Sequence, residues 1–513
     1  MRDLSLPRRH FLLASLGGSL SLRPFSILQA APRLPDDPFT LGVASGAPRP
    51  DSVVIWTRLA PKPLEGGGMP ETPVAVDWQM AEDEGFRRIV RKGRVMAEPA
   101  SAHAVHVTVP GLRPARWYWY RFRVGRAVSP VGRTRTAAAP GAAGGLRFAY
   151  ASCQQYEQGF YAAYADMARR DLDLVVHLGD YIYETSWGSQ HVRKHMSGIP
   201  TTLPEFRERY ALYKLDPDLQ AAHAAFPWLS IWDDHEVAND YANDRSSAMG
   251  DRDQFLKVRA AAYQAYYEHM PLPPKARPRG PEAVIYDLYE FGQMANLILL
   301  DDRQYRSPHA CLPGRSASPR VDCPDRLRED RTMLGAVQEA WLDQALADAK
   351  GRWTIVAQQT LMAERDLDPG DGHGYWMDGW DGYAAGRRRL LDGIAAHRTP
   401  NPVVIGGDVH AFFAADLKRD FHDEKAEVLA TEFCGTSITS EGPSAKGIAT
   451  VRAKNPHIRY ARGDRRGFAT VSLTETHCEV NFEAVADIKE RNSPVSRIAS
   501  FVCLDGRPGV QEA

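Results

Sequence analysis

The pattern of hydrophobic and polar positions changes character near residue 140. Between about residues 39 and 136, short segments alternate apolar and polar side chains and are separated by turn-forming residues, as at 52–57, 74–78, 103–108 and 117–122. Alternation with a period of two is typical of strands that bury one face. We therefore predict that residues 37–136 form a small β-sandwich.

After a stretch rich in Ala, Gly and Pro at 137–145, which is typical of a linker, the apolar segments become continuous. Segments 146–151 and 172–178 predict buried strands, with an amphipathic helix at 160–170 between them. Further apolar strands are expected at 228–232, 295–300, 353–357, 402–405 and 428–431. Continuous apolar strands separated by helices predict an α/β domain, residues 146–505, whose sheet is covered on both faces.

Composition narrows the class of protein. The chain has 63 Lys and Arg against 64 Asp and Glu, with 44% hydrophobic and 25% charged residues, which are ordinary globular values. The near-neutral charge argues against a stable nucleic-acid complex through a broad basic face. No apolar run approaches the ~20 residues of a spanning helix, so we expect no transmembrane anchor. A large enzyme is the interpretation that remains.

The first thirty residues have the pattern of an export signal. Arg8 and Arg9 precede a short apolar stretch and a small-residue region at 29–31, which is the order of a twin-arginine signal peptide. The competing interpretation is a basic N-terminal helix. We predict that residues 1–30 are removed, that the twin-arginine export machinery is a partner, and that the protein is periplasmic or secreted. In such a compartment a disulfide between Cys311 and Cys323 is plausible.

Reactive side chains follow the ends of several predicted strands. They are, in chain order, Cys153, Asp180, the segment Asp233-Asp234-His235-Glu236, and the pair Asp408 and His410. The carboxyl ends of strands in an α/β sheet meet at one edge, where ligands bind. Each residue alone is more simply explained as a helix cap or a buried histidine, whereas their coincidence favours one shared metal site.

These residues resemble the calcineurin-like metallophosphoesterases, and closely the alkaline phosphatase D (PhoD-like) family. The resemblance covers nearly the whole chain, with Ala47 as one departure in the sandwich, and is carried by segments 42–46, 151–153, 179–183, 232–236, 302–306, 379–383, 407–410 and 436–440. It implies a four-layer αββα metallophosphoesterase sandwich preceded by a small N-terminal all-β domain of the fibronectin or immunoglobulin type. It also implies an exported, dinuclear-metal phosphohydrolase that cleaves phosphomonoesters and phosphodiesters by attack of a metal-activated water or hydroxide.

The resemblance further implies roles for individual residues. Asp180 would bridge two metals, and Cys153, Tyr183 and His410 would complete a ferric iron site. Thiolate and phenolate are strong anionic donors, and tyrosinate is an iron ligand in catalase. His235 would not be a ligand but would contact phosphate and assist the leaving group.

Asp234 and Asp408 would hold the second metal, and Gln359 would occupy another position there, although Gln358 is equally well placed by sequence. An oxygen-rich site suits Ca²⁺, with Mn²⁺ or Mg²⁺ as alternatives, better than Zn²⁺.

Weaker candidates and competing functions remain open at this stage. Arg303 and Arg306 either hold the substrate phosphate or form structural ion pairs, and the aromatic residues of 375–383 either wall the substrate cleft or pack a lid. A second class of enzyme would use Cys153 as a nucleophile with a histidine base. That mechanism gives no role to the aspartates at the strand ends. A third interpretation is a non-catalytic envelope-binding protein.

Overall fold

The computed structural model describes residues 36–311 and 322–513. The predicted signal peptide at 1–30 lies outside the described residues. The strands, in chain order, are β1 (Val43–Gly46), β2 (Val53–Arg58), β3 (Val74–Ala81), β4 (Ile89–Ala97), β5 (Ala104–Val109), β6 (Trp117–Val124), β7 (Ala127–Val128), β8 (Gly132–Arg135), β9 (Leu146–Ala151), β10 (Leu174–His177), β11 (Pro227–Ser230), β12 (Asp287–Phe291), β13 (Ala295–Leu299), β14 (Trp353–Ala357), β15 (Pro402–Gly406), β16 (Phe412–Lys418), β17 (Val428–Cys434), β18 (Ile458–Arg462), β19 (Arg466–Leu473), β20 (His477–Val485), β21 (Val495–Leu504) and β22 (Arg507–Glu512).

The α-helices are α1 (Ala162–Met167), α2 (Leu203–Lys214), α3 (Pro217–Ala225), α4 (Arg252–His269), α5 (Gly335–Ala347), α6 (Ala384–His397) and α7 (Ala445–Lys454). Short 3₁₀ helices lie at Pro99–Ser101, Pro274–Ala276, Pro324–Leu327 and Trp380–Tyr383. Aspartates cap two of these helices: Asp216 accepts hydrogen bonds from the first turn of α3, and Asp251 accepts one from Gln254 N–H at the start of α4. The predicted helix 160–170 is shorter in the structure, because the chain leaves the α-helix after Met167 and continues in turns.

Two large sheets form the inner layers of the main domain. The first has the order β22-β21-β20-β19-β9-β10-β11-β1-β2-β5, and the second has the order β12-β13-β14-β15-β17-β16-β18. Both have parallel centres, formed by β9, β10 and β11 in the first sheet and by β13, β14, β15 and β17 in the second. Apolar side chains of both sheets share one core, in which Phe148 and Val471 of the first sheet join Ile355 and Phe433 of the second.

Helices cover the outer faces of both sheets. Side chains of α1 to α4, such as Tyr164 and Phe206, pack in the same core as the first sheet, and those of α5 to α7, such as Leu342 and Leu391, pack with the second. The predicted four-layer αββα sandwich is confirmed. The structure also contains a disulfide between Cys311 and Cys323.

The N-terminal region is all-β, as the sequence predicts, but it shares a sheet with the main domain. Its strands β3, β4, β6, β7 and β8 form a separate five-stranded sheet, whereas β1, β2 and β5 extend the first large sheet through the parallel pairing of β1 with β11. Gly46 permits this contact, since a Cβ there would lie 2.4 Å from Pro271 O and 2.6 Å from Trp228 O. Tyr118 Oη accepts a hydrogen bond from Arg113 N–H at 2.8 Å, a contact of the tyrosine-corner kind found in fibronectin-type sandwiches.

Nothing in the sequence indicates the shared sheet, because β1 pairs with β11 through main-chain groups that any sequence carries. The neighbouring strand β2 is buried at every position, with Val53 and Ile55 in the core of the N-terminal region and Val54 in the core of the main domain. Within the described residues, no helix is both long enough and apolar enough to cross a bilayer.

Candidate metal centre

The reactive residues predicted from strand ends meet at one place, the edge where the carboxyl ends of both sheets come together. Cys153 follows β9, Asp180 follows β10, and Asp234 follows β11 in the first sheet, while Asp408 and His410 follow β15 in the second. Ligand atoms of Cys153, Asp180 and His410 lie within 4.8 Å of one another, as do those of Asp180, Asp234 and His235. The parallel strands therefore deliver these side chains to a single cluster.

The backbone at this cluster adopts a conformation that residues other than glycine rarely use. The φ angles of Cys153, Asp180, Asp408 and His410 are 58°, 55°, 63° and 53°. Such left-handed residues cost free energy and concentrate at functional sites, where surrounding structure holds them in place. Gly179 (φ +109°) makes the turn into Asp180 possible, since a Cβ there would lie 2.4 Å from Asp233 Cβ.

One side of the cluster, which we call the thiol side, consists of Cys153, Tyr183 and His410 around Asp180. The Tyr183 hydroxyl donates a hydrogen bond to Asp180 Oδ2 at 2.9 Å and lies 3.3 Å from His410 Nε2. Ser440 Oγ donates to the Tyr183 oxygen at 2.8 Å. His410 Nδ1 lies 2.7 Å from the Glu441 carbonyl oxygen, so it carries the proton and Nε2 is left as an electron-pair donor facing the cluster.

Burial sets the protonation of the thiol side. Burial, followed by the charges of Asp180 and Asp408, raises the pKa of the Cys153 thiol well above its usual value. Burial and Asp180 do the same to the pKa of Tyr183, while burial lowers the pKa of His410 to about 3. These groups are neutral without a cation, and a bound cation would replace the thiol and phenol protons.

The opposite side, which we call the carboxylate side, consists of Asp233, Asp234 and Asp408 around Asp180. Oxygens of Asp180, Asp233 and Asp408 lie within 4.8 Å of one another. Oδ2 of Asp408 is buried and accepts no hydrogen bond from the described part of the chain, and burial raises the pKa of Asp408 to about 7. An unpartnered buried carboxylate oxygen is the observation that a cation would explain.

Arg303 lies beneath the carboxylate side and pairs with it. Its guanidinium bonds to Asp233, lies 3.8 Å from Asp234 Oδ1, and pairs with Asp378 at 2.7 Å, with only 1% of its side chain exposed. Arg306 pairs with Asp378 at 2.9 Å and is also fully buried. Both arginines therefore form structural ion pairs; the structure shows no open face on Arg303 for a substrate phosphate.

The two glutamines that the sequence predicts near this site hydrogen-bond mainly to main-chain groups. Gln359 Oε1 accepts from Asp302 N–H at 3.2 Å, and its Nε2 donates to Trp232 O at 2.7 Å and to Leu300 O. Gln358 bonds to Thr360 and accepts from the Trp380 indole. Both the oxygen and the nitrogen of the Gln359 side-chain amide are therefore engaged at strand ends, and this residue is not one of the ligands proposed below.

His235 stands at the opening of the cluster with a carboxylate behind it. Its Nδ1 lies 2.6 Å from Glu184 Oε2, and Glu184 Oε1 accepts from Asn239 N–H at 2.8 Å. Burial alone lowers the pKa of His235, but the carboxylates of Glu184, Asp234 and Asp180 outweigh burial and raise it well above its usual value. The contact with Glu184 favours the imidazolium form of His235, in which Nδ1–H is bonded to Glu184 and Nε2 carries the second proton.

Sequence reasoning missed two residues that organise this site, Glu184 and Arg466. Glu184 orients His235, and Arg466 donates to the His410 carbonyl oxygen. Glu236, which belongs to the segment predicted from sequence, accepts hydrogen bonds from Asp180 N–H at 3.1 Å and Asp233 N–H at 2.8 Å. Glu184 directly follows Tyr183 in the sequence, so that motif was itself a signal. Arg466 lies 56 residues beyond His410, and no local signal marks it.

The sequence matches two family models. One, described as PhoD-like phosphatase, covers residues 148–482, and the other, described as the N-terminal domain of PhoD-like phosphatase, covers residues 26–138. Alkaline phosphatase D of Bacillus subtilis (strain 168) is 45% identical over 494 residues, which cover 94% of this chain and 84% of that relative.

Solved structures agree with these matches. The structure of PhoD is 43% identical and superposes with a TM-score of 0.91, covering 94% of this chain and 93% of that one. The purple acid phosphatase PPD1 from yellow lupin seeds superposes with a TM-score of 0.58 at 11% identity, covering 92% of this chain and 75% of that one. The second likeness shows a shared fold only.

Proposed function

This chain belongs to the PhoD-like phosphatase family and is a phosphatase, and on that basis we propose that it is an exported dinuclear-metal enzyme that hydrolyses phosphomonoesters and phosphodiesters. The observation that carries the proposal is the convergence of Cys153, Asp180 and His410 with ligand atoms within 4.8 Å, next to a second group that shares Asp180. One carboxylate common to two groups is the arrangement that two neighbouring cations need.

We assign ferric iron to the thiol side, with Cys153, Asp180, Tyr183 and His410 as ligands. The carboxylate side, with Asp234 and Asp408, would hold Ca²⁺, with Mn²⁺ or Mg²⁺ as the alternatives, since these ions prefer oxygen ligands. When bound, the two ions would neutralise phosphoryl oxygens and lower the pKa of a water molecule. Asp180, whose oxygens reach both sides, would hold the two ions together.

The remaining step of the reaction belongs to His235. Nδ1–H of His235 donates to Glu184 at 2.6 Å, so in the imidazolium form the second proton is on Nε2. From that position His235 would donate the proton to the oxygen of the departing alcohol, while Glu184 stabilises the imidazolium. A similar carboxylate behind a histidine fixes tautomer and orientation in many hydrolases.

The structure does not favour the alternative in which Cys153 is a nucleophile. Cys153 is 1% exposed, and burial together with Asp180 raises the pKa of its thiol, so it lacks both access and a thiolate. Metal removal distinguishes the metal-dependent mechanism from the cysteine-nucleophile mechanism. The purified enzyme should hydrolyse p-nitrophenyl phosphate and bis(p-nitrophenyl) phosphate, and chelation of all metal should stop both reactions. Full activity in a metal-free enzyme that Cys153→Ala inactivates would establish the nucleophile instead.

Export through the twin-arginine route is the second part of the proposal. It rests on Arg8 and Arg9 and the apolar segment after them. Replacing both by Lys keeps the charge but removes the residues that the receptor reads, so the double variant should remain in the cytoplasm as folded, active protein. Its normal accumulation outside the cytoplasm would contradict this route.

A further inference from the structure

A cleft of about 310 Å³ opens directly beside the candidate metal centre. Asp408 and His410 form the part of its wall that belongs to the metal centre. The rest of the wall is mostly apolar, with Arg365 as its charged member, and comes mainly from the loop before the 3₁₀ helix Trp380–Tyr383, strand β16 and helix α7. The apolar side chains that matter below are Leu367, Trp376, Phe413 and Ile448.

Trp376 is the aromatic side chain of segment 375–383 that faces this cleft, which Phe413 of β16 also lines. Of the aromatic residues at 375–383, Tyr375, Trp380 and Tyr383 are at most 1% exposed. The indole of Trp380 bonds to Gln358, and the hydroxyl of Tyr383 bonds to Ser307 O. Trp376 is half-buried and lines the cleft. The guanidinium carbon of Arg365 lies 5.6 Å from its ring centroid, a distance at which a cation helps to hold an indole.

The floor of the cleft at helix α7 is open because residue 447 is glycine. A Cβ at Gly447 would have only Ser444 Oγ nearby, at 3.5 Å, which is ordinary contact. Ile448 and Val451, on the same helix, are buried against the second sheet. Space at position 447 is therefore available to a ligand and not filled by the protein.

We propose that this cleft binds the organic group of the phosphate ester, and that it selects substrates whose organic group is aromatic or otherwise flat and apolar. The inference rests on the proposed function, since a phosphate bound to the metals that Asp408 and His410 would hold lies next to the cleft that those two residues border. A cavity of this size, with apolar walls and few polar groups, is typical of a site for a small organic group. An indole face and aliphatic walls stabilise an aromatic ring by burial and stacking, and they offer little to a hydroxyl-rich polyol.

The test compares 1-naphthyl phosphate with glycerol 2-phosphate, because each monoester has a single organic group. Trp376→Ala should lower kcat/KM for the naphthyl ester by about tenfold, mostly through KM, and for the glycerol ester by less than about twofold. Comparing the two losses cancels the intrinsic reactivity of each ester. Trp341→Ala is the matched control, since Trp341 is a half-buried indole on α5 that packs near Tyr286 and does not line the cleft.

A second variant fills the cleft instead of emptying it, and its control lies on the same helix outside the cleft. Gly447→Leu should lower kcat/KM for the naphthyl ester by about tenfold or more, whereas Ala449→Leu, at an exposed position of α7 that does not line the cleft, should leave both esters near wild type. Thermal unfolding of each variant checks that the fold is intact. Equal losses on both esters, or no loss on either, would overturn the proposal.

A binding measurement distinguishes failure of the cleft proposal from failure of the metal-centre proposal. If the metal-loaded wild type hydrolysed neither ester, the proposed function would be wrong. Calorimetric titration with 1-naphthylmethylphosphonate and with methylphosphonate would then still test the cleft. At least tenfold tighter binding of the naphthyl compound, lost in Gly447→Leu, supports the proposal, and equal binding of the two contradicts it.

Discussion

The thiol side and the carboxylate side of the centre share Asp180 but differ in what surrounds their donors. On the thiol side, Tyr183 is hydrogen-bonded to Asp180, His410 and Ser440. On the carboxylate side, Asp233 bonds to a buried guanidinium, that of Arg303. A metal on the thiol side would bind a thiol and a phenol that lose their protons only when the metal is bound. A metal on the carboxylate side would compete with the guanidinium of Arg303 for the same carboxylates. We therefore expect a tightly held ion on the first side and an exchangeable ion on the second.

The largest expected effect is that of Asp180→Asn, because this residue belongs to both sides. Loss of the shared anion should lower turnover by about 10³-fold or more and should remove metal from both sides. Elemental analysis and hydrolysis of p-nitrophenyl phosphate measure the two losses. Asp171→Asn is the control, since Asp171 pairs with Arg147 on the surface with 84% of its side chain exposed. Retention of one metal by Asp180→Asn would show that the two sides are independent.

Arg303→Met tests the cation that distinguishes the carboxylate side. The variant leaves Asp233 buried without its guanidinium partner and leaves Asp378 paired with Arg306 alone of the two arginines. The free energy of unfolding should fall by about 3–5 kcal/mol. Chemical denaturation measures the change. Arg94→Met removes an exposed pair with Asp77 and should cost at most about 1 kcal/mol. Comparable losses in the two variants would contradict the assignment of Arg303 as the compensating charge.

His235→Ala tests whether His235, which contacts both Asp180 and Asp234, is a ligand of either metal. We expect turnover to fall by about 10²-fold, as for a lost general acid, while both metals are retained. Metal loss as complete as that of Asp180→Asn would make His235 a ligand and would move it to the carboxylate side.

Glu184→Gln should have a smaller effect, because Glu184 acts through His235. The amide keeps the size and the contact to Asn239 N–H but weakens the imidazolium, so kcat should fall by about tenfold with KM little changed. The effect should vanish in a His235→Ala background, which a purely structural role of Glu184 would not produce. Additive losses in the double variant would contradict this positioning role.

The sequence is sufficient to predict the fold and the meeting of the reactive side chains at one edge of the sheets. Strands 146–151 and 353–357 coincide with β9 and β14, since a continuous apolar run in a covered parallel sheet leaves little ambiguity. The side chains after such strands share one edge for topological reasons. Cys153, Asp180 and His410 could therefore be placed together without any knowledge of their contacts.

What could not be predicted depends on contacts between segments that are distant in the chain. Arg303 reaches Asp233 across 70 residues, and its sequence context suits a phosphate ligand as well as an ion pair. Gln359 could not be separated from a ligand position until its amide was seen to bond the ends of neighbouring strands. The left-handed backbone at Cys153 is likewise imposed by surrounding structure, since cysteine is not among the residue types that favour it.

Selective chelation, followed by visible spectroscopy and elemental analysis, tests the difference between the two sides most directly. We predict one iron per chain with a charge-transfer band that Tyr183→Phe weakens or shifts. A calcium chelator should abolish activity and leave the band and the iron in place, and added Ca²⁺ should restore activity. A colourless, fully active enzyme that contains only zinc, or loss of colour together with calcium, would contradict the account.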